Sequence, residues 1–474
     1  MIILNRGRLK SITLFFLIIL NLVLTTRIWF YTSIEGIFNM PANKSIKLDF
    51  NAEYDKSDLL KPHKLIICFG DTSTLQYDSE ENSETYNRIF KEAKRITRTA
   101  ILVNTKESVK KLPREELDNI RNARGVSFIF NMPLGIEAVY KLMNISSYTD
   151  VGIKSIDEII VARSLNRVYL YDTGQETLYE FRTEGIQNNL DFMISSMEKQ
   201  PTVACLYLDS IQPGMYSKNA IVPIKVIEKG LPVLSGKKEL IAREDVIPDG
   251  IADFFNSDIS SLSIIKNMDG TIVYTDREGR VVKLYVNGMI EYINFDPQPS
   301  GSSNINIGSA IEISTEFVSR HFGFPENSCY ISDIIKSMNG DKYIIRYRYA
   351  YEGLPIVLAS GLNSDSIEVE IVGDEIKRYK RLIRKFNEEL EYKQVINPID
   401  VLDILLDKKV EILSGEKIRS VNDVYLAYYE RYGQNAITYI PVWVADVTVE
   451  RFEKGTILNQ RYIINAETGI ILDK

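Results

Sequence analysis

Few side chains in this sequence have the type and spacing that metal binding or acid–base catalysis requires. The chain has two histidines, His63 and His321, and three cysteines, Cys68, Cys205 and Cys329. Zinc and iron–sulfur sites need clusters of such ligands, and no two of these cysteines are separated by only two residues. Two histidines so far apart in sequence are also a poor basis for a proton relay. The sequence therefore predicts neither a metal ion nor a cofactor.

One short segment has the composition of a phosphate-binding loop. Residues 70–74, with the sequence GDTST, follow a predicted buried strand. The segment lacks the GxxxxGK[ST] spacing of a P-loop, and no lysine stands where a phosphate would need one. No serine lies in a GxSxG context either. We interpret the segment as a capped turn, and we predict that the protein is not an enzyme.

The strongest charge run in the chain lies near its C-terminal third. Six cations fall within nine residues: Lys377, Arg378, Lys380, Arg381, Arg384 and Lys385. Such a run is a candidate contact for an anionic partner, such as a cell-wall polymer, membrane headgroups or an acidic protein. The alternative is a solvated edge strand, where lysines also discourage sheet aggregation. The sequence favours this second interpretation.

The overall charge excludes one class of partner. The 474 residues include 57 basic and 64 acidic side chains, which gives a formal net charge of −7. Nucleic-acid binding calls for a basic face, so the balance argues against it. The length exceeds what one hydrophobic core usually serves, and we expect two to four domains.

The N-terminal segment is predicted to cross a membrane. Residues 11–26 contain no charge, and residues 11–31 supply roughly the 20 positions that span a hydrocarbon core. Arg6, Arg8 and Lys10 precede the span and place residues 1–10 in the cytoplasm, with the body outside the cell membrane. A cleaved signal peptide is the alternative. The stretch TTRIWFYTS after the apolar core lacks a small-x-small cleavage site, which favours an uncleaved, single-pass anchor.

One face of this predicted helix carries polar groups that seek a partner. An amide and a hydroxyl occur among apolar residues at i, i+3/i+4 spacing, in the stripe Leu14, Leu17, Ile18, Asn21, Thr25 and Ile28. An amide in lipid gains from a hydrogen bond to another helix. We predict that this stripe contacts a partner span; the alternative is an amide bonded to its own backbone.

The remaining chain predicts an α+β fold with several units. Beyond the membrane helix we predict a stalk (32–61), an N-terminal α/β or α+β domain (62–208), a central β-meander domain (209–297) and two helix-plus-antiparallel-sheet modules (304–390 and 391–474). The N-terminal domain is expected to hold a helix over 82–98 and strands over 100–103, 167–172 and 177–182. Asp269-Gly270, Glu278-Gly279 and Asn287-Gly288 predict the tight turns of the meander, which we expect to form a separate sheet.

The two C-terminal modules are interpreted as a diverged repeat. Each has a predicted helix followed by three or four strands. The segments 354–356 (LPI) and 440–442 (IPV) stand 86 residues apart and are assigned to equivalent places in the two copies.

Several segments carry a family resemblance. Residues 251–295, which begin IADFF and contain YTD and EY in predicted hairpins, resemble the central segment of the YycH (WalH) family of Gram-positive bacteria. Residues 316–330 (EFVSRHFGFPENSCY) and 351–357 (YEGLPIV) resemble its next segment. The C-terminal modules are similar to YycI and PepSY-like folds.

The resemblance implies a regulator without catalytic activity. Members act as accessory proteins of an essential two-component system that controls cell-wall metabolism. The implied partners are a YycI-like membrane protein and a YycG (WalK)-like sensor histidine kinase, and regulation depends on membrane helices. A homodimer is a further assembly that we leave open. Two other functions also stay open: a cell-envelope polymer-binding module and a PepSY-type peptidase inhibitor.

Overall fold

The computed structural model describes most of the chain beyond residue 57. The described ranges are 58–77, 83–145, 151–183, 188–200, 202–225, 230–238, 248, 250–255, 261–276, 278–299, 305–325, 329–337, 342–359, 365–382, 384–407, 416–432, 437–452 and 455–473. The predicted cytoplasmic tail, membrane helix and most of the stalk lie outside these ranges. Within them, no helix has the length and apolar character needed to cross a bilayer.

The described residues of the N-terminal part form nine strands and four α-helices. The strands are β1 Lys64–Cys68, β2 Ser73–Gln76, β3 Lys110–Pro113, β4 Gly125–Gly135, β5 Ser155–Ala162, β6 Arg167–Asp172, β7 Thr177–Arg182, β8 Cys205–Tyr207 and β9 Ile221–Pro223. The helices are α1 Ser83–Val103, α2 Leu117–Arg121, α3 Ile136–Leu142 and α4 Asn188–Glu198. The first seven strands form one sheet in the order β2-β1-β4-β5-β6-β7-β3.

Every pairing within this seven-stranded sheet is antiparallel, so of the two architectures predicted for the N-terminal domain α+β is observed and α/β is wrong. Short connections such as the turn between β6 and β7 reverse the chain directly, whereas parallel strands need a crossover of a dozen or more residues. The order in which helices and strands alternate in the sequence does not distinguish these two topologies. The fold of the described chain is α+β.

Helix α1 is longer than the sequence pattern predicts. Its buried residues include Ile96, Ala100 and Ile101, which continue one face at spacings of three to five residues. The predicted strand at 100–103 is therefore wrong, since these residues form the last turn of the helix. Leu102 and Val103 are more than half exposed, as expected at the outer side of a helix end.

The central region forms the four consecutive antiparallel strands expected there. They are β11 Ser263–Lys266, β12 Ile272–Thr275, β13 Arg280–Leu284 and β14 Met289–Asn294. Gly270, Gly279 and Gly288 have φ values of 83°, 84° and 84°, the left-handed conformation that these turns require. The meander is not a separate sheet, because β14 pairs with a C-terminal strand, residues 375–382. Such long-range pairing leaves no trace in the local pattern.

The remaining elements build the C-terminal part. The helices are α5 Ile307–Arg320 and α6 Pro398–Leu405, and the strands are β10 Leu231–Lys238, β15 Cys329–Lys336, β16 Lys342–Tyr351, β17 Leu354–Val357, β18 Ile367–Val372, β19 Glu375–Leu382, β20 Arg384–Lys393, β21 Glu416–Tyr432, β22 Ile437–Arg451, β23 Ile457–Asn465 and β24 Ile471–Asp473. Antiparallel pairing links β15, β16, β18 and β19 after α5, and β21, β22, β23 and β24 after α6. In the described residues six strands follow α5 and four follow α6, so the two copies differ in their number of strands. The module boundaries stay predictions.

The two proline motifs both lie next to strand β21. Ile356 of β17 pairs in parallel with Tyr428 of β21. Pro441 of β22 pairs antiparallel with the same Tyr428 from the other side. The two motifs therefore flank one strand, and their equivalence in the two copies stays a prediction. Strand β21 joins the strands that follow α5 to those that follow α6, and these two sets are the two halves of a single sheet.

These pairings produce one sheet of fifteen strands, and both halves contribute side chains to one hydrophobic core. The pairing runs β11-β12-β13-β14-β19-β18-β16-β17-β21-β22-β10-β20, with β15, β23 and β24 attached. Only residue 383 separates β19 from β20 in sequence, although β19 lies inside this order of strands and β20 lies at its end. Inside, Phe386 of β20 packs edge-on against Tyr439 of β22 and Tyr349 of β16, with ring centroids 4.9 Å and 6.1 Å away.

Candidate functional site

The structure shows the surroundings of the three cysteines and of the GDTST segment. Cys68, Cys205 and Cys329 are free and buried, and burial raises the pKa of the Cys205 thiol to about 12. Within the described ranges, no group of three histidine, cysteine, aspartate or glutamate side chains could hold a metal ion. The Phe69 amide donates to the Thr72 carbonyl at 2.8 Å, so the GDTST segment begins in a tight turn.

The structure divides the cationic run between the surface and the interior. Lys377 and Arg378 lie on β19 with side chains 47% and 39% exposed, and their nearest carboxylates are Glu370 and Glu291. Lys380 and Lys385 are half-buried. The six cations therefore do not form one exposed surface. Contact with an anionic partner remains a prediction for the four outer side chains.

The other two cations of the run are inside the fold. Arg381 is 1% exposed, and its guanidinium donates to the Gly323 carbonyl. Arg384 is 2% exposed and donates through Nε to Glu430 at 3.1 Å. Because β19 and β20 are strands, successive side chains point to opposite faces, and a dense charge run in sequence becomes two separate sets in space.

On the outer face of the sheet, cations alternate with carboxylates across neighbouring strands. Cross-strand pairing places Lys283, Glu291, Lys380, Glu368 and Arg346 side by side on five consecutive strands. Lys283 lies 3.6 Å from Glu291, and Arg346 lies 3.0 Å from Glu368. In this charge ladder, the pairs Lys283–Glu291 and Arg346–Glu368 neutralise two of these cations within the molecule and weaken the attraction of the face for a polyanion.

An aromatic cluster lies beneath the meander. The ring centroid of Phe254 lies 4.2 Å from that of His321 and 5.4 Å from that of Tyr292. Phe317 stacks on His321 with their centroids 4.0 Å apart. The His321 ring nitrogens contact the carbonyls of Phe317 and Asp253 at 2.8 Å and 3.0 Å. The segment that begins IADFF thus fastens α5 to the meander, and His321 serves packing.

The most unusual arrangement of charge is a buried polar junction between the start of β1 and β21. The Lys64 ammonium donates to the Asp423 carboxylate and, at 3.2 Å, to the Asn219 carbonyl. The Lys64 side chain is only 2% exposed, and that of Asp423 is 23% exposed. His63 packs edge-on against Tyr425, with centroids 5.1 Å apart. Two consecutive residues thus meet Asp423 and Tyr425, which share one face of β21.

Two further ion pairs extend this junction into the C-terminal part. Arg348 donates to Asp365 at 2.8 Å, and Ser332 donates to the same carboxylate at 2.8 Å. Arg461 of β23 donates to Asp446 of β22 at 2.7 Å. Burial, with Lys64, Arg348 and Arg461 nearby, lowers the pKa of His63 to about 3. His63 is therefore a neutral ring among cations at physiological pH.

Other contacts hold the same two parts together around the junction. The Val421 amide donates to the Met215 carbonyl at 2.8 Å, and Ser217 donates back to Val421 at 2.9 Å. Asn131 of β4 donates to the Ser332 carbonyl at 3.0 Å. Lys141 of α3 donates to the Gly308 carbonyl at the start of α5 at 3.1 Å. The seven-stranded sheet is thus joined to both halves of the large sheet.

The arrangement is suited to fixing the positions of the two parts. Its charged groups are engaged with one another or with backbone carbonyls. Sequence reasoning missed the junction, because Lys64 and Asp423 are 359 positions apart and nothing local marks either residue. The predicted membrane stripe Leu14, Leu17, Ile18, Asn21, Thr25 and Ile28 lies outside the described residues.

Comparison with known proteins identifies the C-terminal region. Residues 254–456 match the family described as YycH protein, C-terminal domain. This stretch begins at Phe254 of the aromatic cluster and includes the charge ladder, β21 and β22. No curated protein sequence matches the chain.

Two solved structures are similar in fold. The crystal structure of YycH from Bacillus subtilis shares 12% sequence identity, with a TM-score of 0.55, and the similarity covers 88% of this chain and 99% of that one. An uncharacterized protein from Eubacterium rectale, also 12% identical, covers 52% of this chain and 86% of its own, with a TM-score of 0.38. The first similarity shows a common fold that extends well beyond the matched C-terminal domain.

Proposed function

Because this chain is a YycH family protein, we propose that it is an accessory regulator of a sensor histidine kinase of the YycG (WalK) type. In this proposal the kinase controls cell-wall metabolism, and the chain acts on it through protein–protein contact. A YycI-like membrane protein is the second partner.

The family match over residues 254–456 is the observation that carries this proposal. The structure adds physical support of a different kind. Arg348–Asp365, Arg461–Asp446 and Arg346–Glu368 are paired within the fold, which suits a role in binding. A regulator of this kind needs only a differential affinity for two states of its kinase.

Membrane attachment is part of the proposal. Residues 11–31 would cross the bilayer, residues 1–10 would face the cytoplasm, and the bulk would lie outside the cell membrane. Association of helices in lipid draws on packing and interhelical hydrogen bonds. Asn21 and Thr25 would provide such bonds to the span of the kinase or of the YycI-like protein, with Leu14, Leu17, Ile18 and Ile28 packing around them.

Co-purification from membranes, combined with kinase output in cells, tests the proposal. The full-length chain should retain the kinase in detergent extracts, and deleting the chain should change phosphorylation of the response regulator. A coupling of about 1–3 kcal/mol would change the active kinase population about 5- to 150-fold. Extracts that contain the chain but not the kinase, together with unchanged output on deletion, would contradict the proposal.

Three membrane variants address the contact itself. Asn21→Leu should weaken co-purification, whereas Asn21→Gln keeps an amide and should preserve part of it. The third variant exchanges residues 11–31 for an unrelated span. If the variant with the exchanged span regulates the kinase normally, the membrane contact is irrelevant and the outer body must carry the signal.

The same extracts distinguish the other two functions. An envelope polymer-binding module should be retained on wall polymer, and replacing Lys377, Arg378, Lys380 and Lys385 should release it. A PepSY-type peptidase inhibitor should co-purify with a protease in place of the kinase.

A further inference from the structure

The junction lies where the chain enters the described body. Residues 58–64 come directly after the segment predicted to rise from the membrane. Leu59 and Leu60 are 0% and 4% exposed and belong to the main hydrophobic core. His63 and Lys64 then contact Tyr425 and Asp423 of β21. The entry segment is thus held by apolar burial and by an ion pair within a few residues.

Strand β21 has a central position in the C-terminal sheet. It pairs with β17 on one side and with β22 on the other, so it touches both halves. Two residues before Asp423 on β21, Val421 exchanges backbone hydrogen bonds with residues 215 and 217 of the N-terminal part. A displacement of Lys64 would therefore reach β21 first and both halves of the sheet next.

The chemistry of the pair indicates a role in specifying position. Lys64 is almost fully buried, and a buried ammonium without its carboxylate is strongly unfavourable. Replacing both members of a buried pair by apolar side chains is often neutral for stability, so such a pair is weak evidence for a stabilising role. What a charge pair adds over an apolar contact is one defined partner and one defined distance.

We propose that the Lys64–Asp423 pair is a coupling contact. Through it, the position of the entry segment, residues 58–64, sets the arrangement of the C-terminal sheet. This inference rests on the proposed regulatory function. It adds the residues through which the described body receives the signal. With the pair intact, the entry segment and β21 move as one unit; without it, the chain still folds and binds its partner but no longer transmits.

The test uses the full-length chain in membranes with its kinase. Two double variants remove the charges: Lys64→Met with Asp423→Leu, and Lys64→Gln with Asp423→Asn, which keeps a hydrogen-bonding pair. Lys64→Asp with Asp423→Lys reverses the charges. Arg114→Gln with Glu176→Gln is the matched control, since this ion pair joins two residues within the N-terminal part and is largely exposed. Limited proteolysis of each variant checks the fold.

Regulation is measured as the difference in response-regulator phosphorylation between cells with and without the chain. Both neutral double variants should resist proteolysis and co-purify with the kinase, while this difference falls at least fivefold. The reversed pair should restore most of it, and the control should leave it unchanged. Neutral variants that regulate like the unsubstituted chain would overturn the inference, as would a reversed pair that restores nothing. If the unsubstituted chain itself neither bound nor regulated the kinase, that result would instead contradict the proposed function.

Discussion

Arg384 and Glu430 form an ion pair in the interior of the large sheet, where their side chains are 1% and 0% exposed. Tyr439 and Tyr432 also donate to the Glu430 carboxylate, at 2.9 Å and 3.1 Å. The pair joins β20 to β21. A cation that sequence reasoning assigned to a candidate surface patch thus holds two strands together from inside.

Removing one member of this pair should be severely destabilising. Arg384→Met leaves the Glu430 carboxylate buried without its cation, and we expect a loss of about 3–5 kcal/mol. Trp443 is fully buried on the neighbouring β22, so its fluorescence in a urea titration reports unfolding of this region.

The matched control comes from the same charge run. Lys377 is 47% exposed and lies 3.6 Å from Glu370, so Lys377→Met should change stability by no more than about 0.5 kcal/mol. Equal losses for the two variants would show that burial does not govern the effect.

The aromatic cluster gives a second prediction. Phe254 is 4% exposed and contacts His321, Tyr292 and Phe317. Phe254→Ala should therefore cost about 3–5 kcal/mol, because it removes a buried ring and leaves a cavity. Near-UV circular dichroism during urea unfolding would follow the surrounding aromatic rings.

Phe295 provides the comparison, since its ring is 69% exposed at the end of β14. Phe295→Ala should be close to neutral, within about 0.5 kcal/mol. A large loss at Phe295 would mean that its ring is covered in solution by a contact beyond the described residues.

Local sequence signals predicted much of the fold. The turns at Gly270, Gly279 and Gly288 were marked by dipeptides that favour positive φ, and the structure has all three. Residues 167–172 and 177–182 were predicted as strands and are β6 and β7. These features depend on neighbouring residues, whose preferences the sequence displays directly.

What could not be predicted depends on distant partners. Whether β14 ends a sheet or continues into β19 is decided by packing between segments about 90 residues apart, and an apolar strand pattern fits both outcomes. The site was missed for the same reason. Lys64 is an ordinary lysine in sequence, and only the fold brings Asp423 to it.

Close approach of two strands yields a third prediction. A Cβ on Gly125 would lie 2.2 Å from the Val161 carbonyl oxygen of β5, nearer than real contacts allow. Gly125→Ala should force β4 and β5 apart and lower stability by more than 2 kcal/mol, which calorimetry would measure. Gly152→Ala is the control: its φ is 76° and nothing lies within 4 Å, so only the roughly 1 kcal/mol cost of a left-handed alanine applies.

The buried histidine of the junction predicts a specific dependence of stability on pH. Burial, reinforced by Lys64, Arg348 and Arg461, lowers the pKa of His63 from 6.5 to about 3. Between these values the unfolded chain binds a proton that the folded chain excludes, so stability falls as the pH falls below 6.5. The slope is about 1 kcal/mol per pH unit.

Other groups titrate in the same range, so the histidine must be isolated by difference. Burial raises the pKa of Asp423 although Lys64 opposes it, and this carboxyl contributes a slope of the opposite sign. Burial also lowers the pKa of His321, which adds a slope of the same sign as His63. His63→Gln keeps a polar side chain but cannot take up the proton. Urea midpoints of both proteins, measured from pH 4 to 7.5, should differ least at high pH. Below 6.5 the variant should gain on the unsubstituted protein by about 1 kcal/mol per unit. A difference that stays constant with pH would mean that His63 is protonated equally in the folded and unfolded chains, and the ring would then not be sealed among the cations of the junction.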